Sequence, residues 1–177
     1  LVPHFWRAAT DNDIGNSLQI RSAVWQHAFE KSTLKSFKYN NTSTGYLVEA
    51  SYLLPTVDAI CNMSYLVKES GNVEISYRLK TGKETPPEPQ RIRMRVVLNA
   101  EYNEAAWLGR GPFDNYNDRN YAADVDLYQM KADKLFYPYP RAQESGYRTD
   151  VRWVALRNKQ GSGLIAIALS KLSTGIL

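Results

Sequence analysis

The chain has 177 residues, of which 44% are hydrophobic and 23% charged, with 12 Tyr and 4 Trp. This composition excludes a disordered chain and supports one domain, or one large fragment of a domain, able to bury about 70% of its unfolded surface. The net charge of +4 is spread through alternating acids and bases, the single cysteine excludes an internal disulfide, and no apolar run approaches the roughly 20 residues a membrane span needs.

In chain order, the N-terminus shows no basic stretch leading into an apolar core, so no targeting signal is expected in this segment. Asp11-Asn12-Asp13-Ile14-Gly15 is the first polar motif. A calcium loop wants an oxygen ligand where Gly15 stands and a bidentate acid where Ser22 stands, so the motif is read as an ordered turn rather than a metal site. Trp25 and Phe29 share an i,i+4 face, and Ser22 precedes them as a cap, which predicts one short helix over Ser22 to Lys31.

Strand patterns follow. Gly45 to Leu54 is one, and Ala59 to Val67 and Asn72 to Leu79 form a predicted hairpin about Lys68-Glu69-Ser70-Gly71. Val73, Ile75, Tyr77 and Leu79 alternate with polar residues, as a strand covering a core on one face requires. Cys61 lies on the apolar face of its strand and reads as a small buried residue. Thr85-Pro86-Pro87-Glu88-Pro89 removes ladder donors and is read as an inter-strand loop rather than a linker.

Arg91 to Ala100 is the next predicted strand, with Arg91, Arg93 and Arg95 facing outward and Ile92, Met94 and Val96 entering the core. These arginines, with Lys31, Lys35 and Lys38, are the local basic exceptions. They belong to no nucleic-acid motif and are read as solvated faces. Glu101 to Leu108, Val151 to Arg157 and Gly163 to Leu169 complete the set, the last two joined through Asn158 to Ser162, whose Gly and Asn suit a hairpin loop. The pattern predicts an all-β, antiparallel, sheet-on-sheet protein with no internal repeat.

Two stretches are rich in chemistry. Trp107-Leu108-Gly109-Arg110-Gly111-Pro112 contains GxG, but position 114 is Asp and no helix follows, so it is not read as a phosphate loop. Phe113 to Arg119 follows, dense in hydrogen-bonding groups and aromatic faces. It suits a sugar, or equally a buried structural pair of Asp118 with Arg119. Gln143 to Asp150 leads into Val151-Arg152-Trp153; Glu144 there would serve as acid or base if desolvated, and a polar network at a strand entrance is the reading adopted. His4 and His27 lie away from both stretches.

Three ordered motifs carry a resemblance. Phe5 to Gly15 is similar to the WRAPTDNDxG opening of the C-terminal domain of family 2 β-galactosidases, also called the small-chain or domain 5 segment. Trp107 to Pro112 with Asn115, Tyr116, Asp118 and Arg119 resembles its WxGxGPxENYPDR pattern. Tyr139 to Trp153 resembles its YVRPQENGNRTDVRW pattern. The resemblance covers nearly the whole chain, and Ala9, Asp114, Asn117, Ala142 and Ser145 depart from it at single positions.

The resemblance implies an antiparallel supersandwich like those of galactose mutarotases over residues 1 to 177, truncated at its C-terminus, with edges left exposed. It implies that Gly15 and the residues just after it form a mobile loop bordering the active site, with Asp11, Asn12 and Asp13 fixing its base. Asn115, Tyr116, Asp118, Arg119, Gln143, Glu144, Arg148 and Asp150 are then structural polar residues. The intact family hydrolyses terminal β-D-galactosides with retention, through two glutamates of a (β/α)₈ barrel that nothing in this chain resembles. No catalytic or metal-binding residue is therefore expected here. Magnesium and sodium are implied for the parent enzyme only, as is the galactoside.

The expected partners are the parent's remaining domains, within a homo-oligomer of a cytoplasmic or periplasmic bacterial enzyme, with neither nucleic acid nor membrane. The family's later Gly-Gly-Asp-x-Ser-Trp-like stretch does not occur before Leu177. The alternative is a free carbohydrate-binding or aldose-epimerase-like module on the same supersandwich. An epimerase would require histidine and glutamate facing one pocket.

Overall fold

Alternating side chains build most of the molecule, which is all-β with antiparallel sheets, as expected. The computed structural model describes residues 1–82 and 85–176; Lys83, Glu84 and Leu177, the last residue of the expected supersandwich segment, lie outside the described residues. The chain divides into two compact units, Leu1–Val96 and Val97–Leu177.

The first unit holds a four-stranded sheet in the order β2 (Thr33–Thr42), β3 (Gly45–Leu54), β4 (Ala59–Lys68), β5 (Val73–Thr81), and a small ribbon of β1 (Val2–His4) with β6 (Arg93–Arg95). The hairpin of β4 and β5 forms as predicted, with Cys61 opposite Leu79 and Tyr65 opposite Ile75. Leu54, Ala59, Cys61 and Met63 bury one end of the sheet face beneath Phe5, Trp25 and Ala28, and Tyr77 and Leu79 pack against them. Burial removes Cys61 from solvent and pushes its thiol up to about 11, since a thiolate there would lose its hydration.

The helical segment differs from the prediction. Helix α1 spans Asp11–Asn16 and α2 Leu18–Arg21, while Ala23–Trp25 is one 3₁₀ turn. The reason is a capping box: the Thr10 hydroxyl accepts from Asp13 N, and the Asp13 carboxylate accepts from Thr10 N at 2.8 Å. This starts the helix at Asp11, eleven residues before Ser22. Ser22 closes α2 instead of capping a following helix: its backbone N–H and its Oγ both donate to Leu18 O, the latter at 2.6 Å. Trp25 is buried as its spacing suggested, and its Nε1 donates to Pro87 O at 2.6 Å. That bond places the proline segment inside the first unit, as a loop.

Other boundaries also move. Only Arg93–Arg95 of the predicted Arg91 to Ala100 strand pairs, and only Met94 of its apolar residues packs on the core, while Ile92 and Val96 stay exposed. A two-stranded ribbon three residues long has room for one inward row. Arg93 is not solvated but donates to His4 Nδ1 and Trp6 O, each at 3.2 Å. Strand β2 had no clear period because its register shifts between Leu34 and Ser36, which breaks the alternation joining Leu34 to Phe37 and Tyr39.

The second unit is a sheet in the order β10 (Gly163–Gly175), β9 (Tyr147–Arg157), β7 (Glu104–Gly111), β8 (Asp124–Lys131). Strand β7 thus starts three residues later than the predicted Glu101, and β9 starts four residues before Val151. The β9–β10 hairpin turns at Gly161, whose φ of +84° needs glycine. Strand β8 escaped the sequence pattern because Tyr128 and Met130 face the core while Val125 and Leu127 face the other way, so no single face is apolar. Ala105, Trp107, Leu135 and Val151 form the core. The GxG motif serves this packing. A Cβ on Gly109 would stand 2.9 Å from Val151 Cα, and one on Gly111 2.8 Å from the Tyr128 ring.

Candidate functional site

Each unit gathers its motif residues into a polar cluster held by arginine. In the first, the irregular segment Phe5-Trp6-Arg7 that follows β1 runs into the cap of α1, and both terminal Arg7 guanidinium nitrogens donate to the buried Asp13 carboxylate. The Thr10 hydroxyl and backbone N–H add two more bonds to Asp13 Oδ2. Burial pushes the Asp13 carboxyl up, but the bonds from Arg7 and Thr10 outweigh it and hold it below the ordinary carboxylate value.

Asp13 therefore does not fit a cation: its oxygens are already committed to guanidinium and cap donors. Asp11 is half-buried, and Asn12, Ile14 and Gly15 lie on the exposed side of α1. The structure turns the expected loop of Asp11, Asn12, Asp13 and Gly15 into a capped helical turn, with Gly15 inside it where an added Cβ would meet open space.

In the second unit, the β7–β8 connection folds against the entrance of β9. Asn115 is completely buried and closes this junction; its Oδ1 accepts from Thr149 N at 3.0 Å and Thr149 Oγ1 at 2.6 Å, while its Nδ2 donates to Phe113 O at 3.1 Å. Tyr116 stacks on Tyr147 with centroids 5.7 Å apart, and the Arg119 guanidinium lies over the Tyr116 ring, 4.5 Å from its centroid. Burial pushes the Tyr116 phenol up to about 12.

Arg119 does not pair with Asp118, as the sequence reading allowed. Its Nη2 donates to Tyr139 OH at 2.8 Å, that hydroxyl donates to Asp114 Oδ1 at 2.7 Å, and Arg119 itself stands 3.5 Å from Asp114. Asp118 is exposed. Asp118 stays in solvent, whereas Asp114 is buried and takes its bonds from Tyr139 and Arg119.

Arg148 is buried beside this group, 5.1 Å from the Trp107 ring centre, with Nη2 donating to Pro112 O at 2.9 Å. Asp150 sits in the left-handed region at φ 53° and accepts from Arg110 Nε at 2.7 Å, with Lys171 at 3.8 Å. The Arg110 bond leads in holding its carboxyl low. Glu144 is half-buried and Gln143 exposed. The structure thus brings Asn115, Tyr116, Arg119 and Arg148 together, joins Asp150 to Arg110, and leaves Asp118 and Gln143 at the surface.

Sequence reading passed over Thr10, Arg7, Arg110, Tyr139 and Thr149 as members of these clusters. The Thr10-x-x-Asp13 spacing was the available signal for the first. Tyr139 and Asp114 are 25 residues apart and carry none. The histidines are engaged locally: His4 with Arg93, and His27 with Glu30 at 2.6 Å. Burial, then the charges of Arg93 and Arg95, holds the His4 imidazole below its ordinary value.

Comparison with known proteins agrees with the motifs. The family model described as β-galactosidase small chain matches residues 1–176. A β-galactosidase of Priestia megaterium is 34% identical over 175 residues, 99% of this chain and 17% of the relative. One from Halalkalibacterium halodurans is 30% identical over 92% of this chain and 16% of the relative, and one from Pseudoalteromonas haloplanktis 25% identical over the whole chain and 18% of the relative. The chain therefore spans less than a fifth of these relatives' length. With the full-length model match and the three motifs in order, the chain belongs to the β-galactosidase small chain family.

Proposed function

We propose that this chain is a non-catalytic, structural and active-site-rim domain of a family 2 β-galactosidase that hydrolyses terminal β-D-galactosides. The single observation that carries this reading is the commitment of the motif carboxylates. Asp13 is clamped by Arg7, Asp114 by Tyr139 and Arg119, and Asp150 by Arg110. A retaining glycosidase needs one ionised and one protonated carboxyl about 5–5.5 Å apart across a sugar. Carboxylates already committed to guanidinium and phenol donors serve instead to fix loops.

In this reading both compact units belong to one supersandwich segment of residues 1–177, and the two reacting glutamates lie in the parent's remaining domains. The exposed side of α1, with Asn12 and Gly15 over the Asp13 anchor, borders the galactoside pocket of the parent. Magnesium and sodium act, if bound, on those remaining domains, because the motif carboxylates Asp13, Asp114 and Asp150 already have basic partners. The parent is read as a homo-oligomeric bacterial enzyme of the cytoplasm or periplasm.

The test is direct. The purified 177-residue chain should not hydrolyse nitrophenyl β-galactoside above a mock-purified control, whereas the native enzyme containing it should. Turnover by the isolated chain overturns the assignment, and saturable millimolar galactose binding to it moves the reading to a carbohydrate-binding module.

A further inference from the structure

Residues 14–21 run through the end of α1 and all of α2 without burying one side chain. Ile14 and Ile20 are 53% and 70% exposed, so apolar packing does not hold this stretch. The two helices meet at Ser17, a residue other than glycine in the left-handed region at φ 61°. Such a joint costs free energy and persists only where its surroundings impose it. Buried Asp13 and Ser22 pin the two ends, and the stretch between them needs a restraint of its own.

Arg21 supplies that restraint. Its Nη1 donates to Asn16 O at the end of α1, and its Nη2 donates to Glu88 Oε1 at 3.3 Å. One guanidinium therefore closes the joint around Ser17 and ties it to the proline loop. Among the described residues, the bond to Glu88 is the only hydrogen bond that leads from residues 14–21 to a distant part of the chain.

The far side of that bond is stiff. Pro87 and Pro89 flank Glu88 with fixed φ, and a residue that precedes proline is held extended. This piece is also fastened at both ends: Pro87 O accepts from Trp25 Nε1 at 2.6 Å, and Gln90 Oε1 accepts from Arg7 N at 3.3 Å. Trp25 belongs to the core and Arg7 clamps Asp13, so Glu88 extends its exposed carboxylate from an anchored strut. An exposed ion pair adds little to global stability, because water and salt screen it. It still decides between two positions of a stretch that no packing opposes.

We propose that Glu88 is a positioning residue for the galactoside pocket of the parent: through Arg21 it holds α1 and α2 against the proline strut, in the place that receives substrate. Binding then does not have to order the rim. The proposal rests on the rim reading above and adds which residue sets the rim's position.

Kinetics of the native enzyme that contains this chain test it, with nitrophenyl β-galactoside as substrate. Glu88→Gln and Arg21→Met should each raise KM about threefold at low salt, the size of an exposed ion pair. The kcat should not change, which is the pattern of lost binding rather than lost chemistry. In roughly 1 M salt, which screens charges beyond about 3 Å, the variants should approach the parent. The double variant should be no worse than either single one, since both remove the same bond. Arg21→Lys, which keeps the charge, should stay closer to the parent than Arg21→Met.

Hydrogen exchange in the same enzyme gives a readout that does not depend on activity: amides of residues 18–22 should exchange about threefold faster in both variants. An unmoved KM overturns the proposal, whether or not exchange speeds up, and so does a double variant whose losses add. A fall in kcat with KM unchanged overturns it as well. Turnover by the isolated 177-residue chain would instead defeat the functional reading itself. If that chain is inactive and KM ignores Glu88→Gln and Arg21→Met, only the positioning role fails.

Discussion

The guanidinium of Arg148 lies 5.1 Å from the centre of the Trp107 ring, so the third sequence motif packs directly on the second. Arg148 is 3% exposed, yet it spends only Nη2 on a hydrogen bond, to Pro112 O; its buried Nε and Nη1 have no acceptor among the described residues. Desolvation accordingly pushes its pKa down. The indole face and one carbonyl do what a carboxylate does for most buried arginines.

This predicts that Arg148 acts more by packing than by charge. Arg148→Ala should lose about 2–4 kcal/mol of stability by opening a cavity over Trp107. Arg148→Met keeps the stem and removes two unmatched donors, so it should stay within about 1 kcal/mol of the parent. Urea denaturation measures both. Equal, large losses would assign Arg148 an ionic role.

The Arg7–Asp13 clamp should govern acid stability of the first unit. Asp13→Ala strands a guanidinium and removes the cap, for a loss of about 3 kcal/mol at neutral pH. The sign with pH follows from the lowered carboxyl: a group with a folded pKa below its unfolded one gives stability that is present above the unfolded value, near 4, and is lost as pH falls through the folded value. Melting curves from pH 7 to pH 2 should steepen below about pH 4 in the parent and less so in Asp13→Ala. Parallel curves would remove Asp13 from the acid limb.

Tyr139, not Asp118, should couple to Arg119. Tyr139→Phe removes the hydroxyl that donates to buried Asp114 and should cost about 1–3 kcal/mol. Asp118→Asn should stay within about 0.5 kcal/mol, as exposed substitutions do. A double-mutant cycle of Tyr139→Phe with Arg119→Met should show coupling above about 0.5 kcal/mol; the same cycle with Asp118→Asn should show none. The reverse pattern would restore the neighbouring pair.

Cys61 offers a probe of opening. With its thiol pushed up to about 11 by burial, it should not react with an aromatic disulfide at pH 8 until the first unit unfolds. The labelling rate across urea concentrations should follow the loss of Trp25 fluorescence burial. Rapid labelling of the native chain would show that the sheet end opens independently.

The β4–β5 hairpin, the β3 strand and the β9–β10 turn were legible in the sequence because each depends on contacts near in the chain: alternation, a Gly-containing turn, and a partner strand next in order. Family membership was legible for the same kind of reason, since three motifs stand in fixed order along the chain. Helix α1 was readable in principle from Thr10 and Asp13, but the Trp25–Phe29 spacing drew the helix to the wrong place. Those two rings do reach the core, through a 3₁₀ helix and hydrogen-bonded turns rather than an α-helix.

Tertiary structure alone decided which polar residues act together. Asp114 chooses Tyr139 and Arg119 over any sequence neighbour, and Arg110 chooses Asp150 across 40 residues. It also decided that β7 would sit between β8 and β9, and so that Ala106 and Ala155 would adjoin. A sequence states which side chains are apolar or charged, and its local spacing states which strand face they share. Which face is covered, and which charge loses its water, depends on strands brought together from far along the chain, because desolvation is a property of the packed neighbourhood and not of the residue.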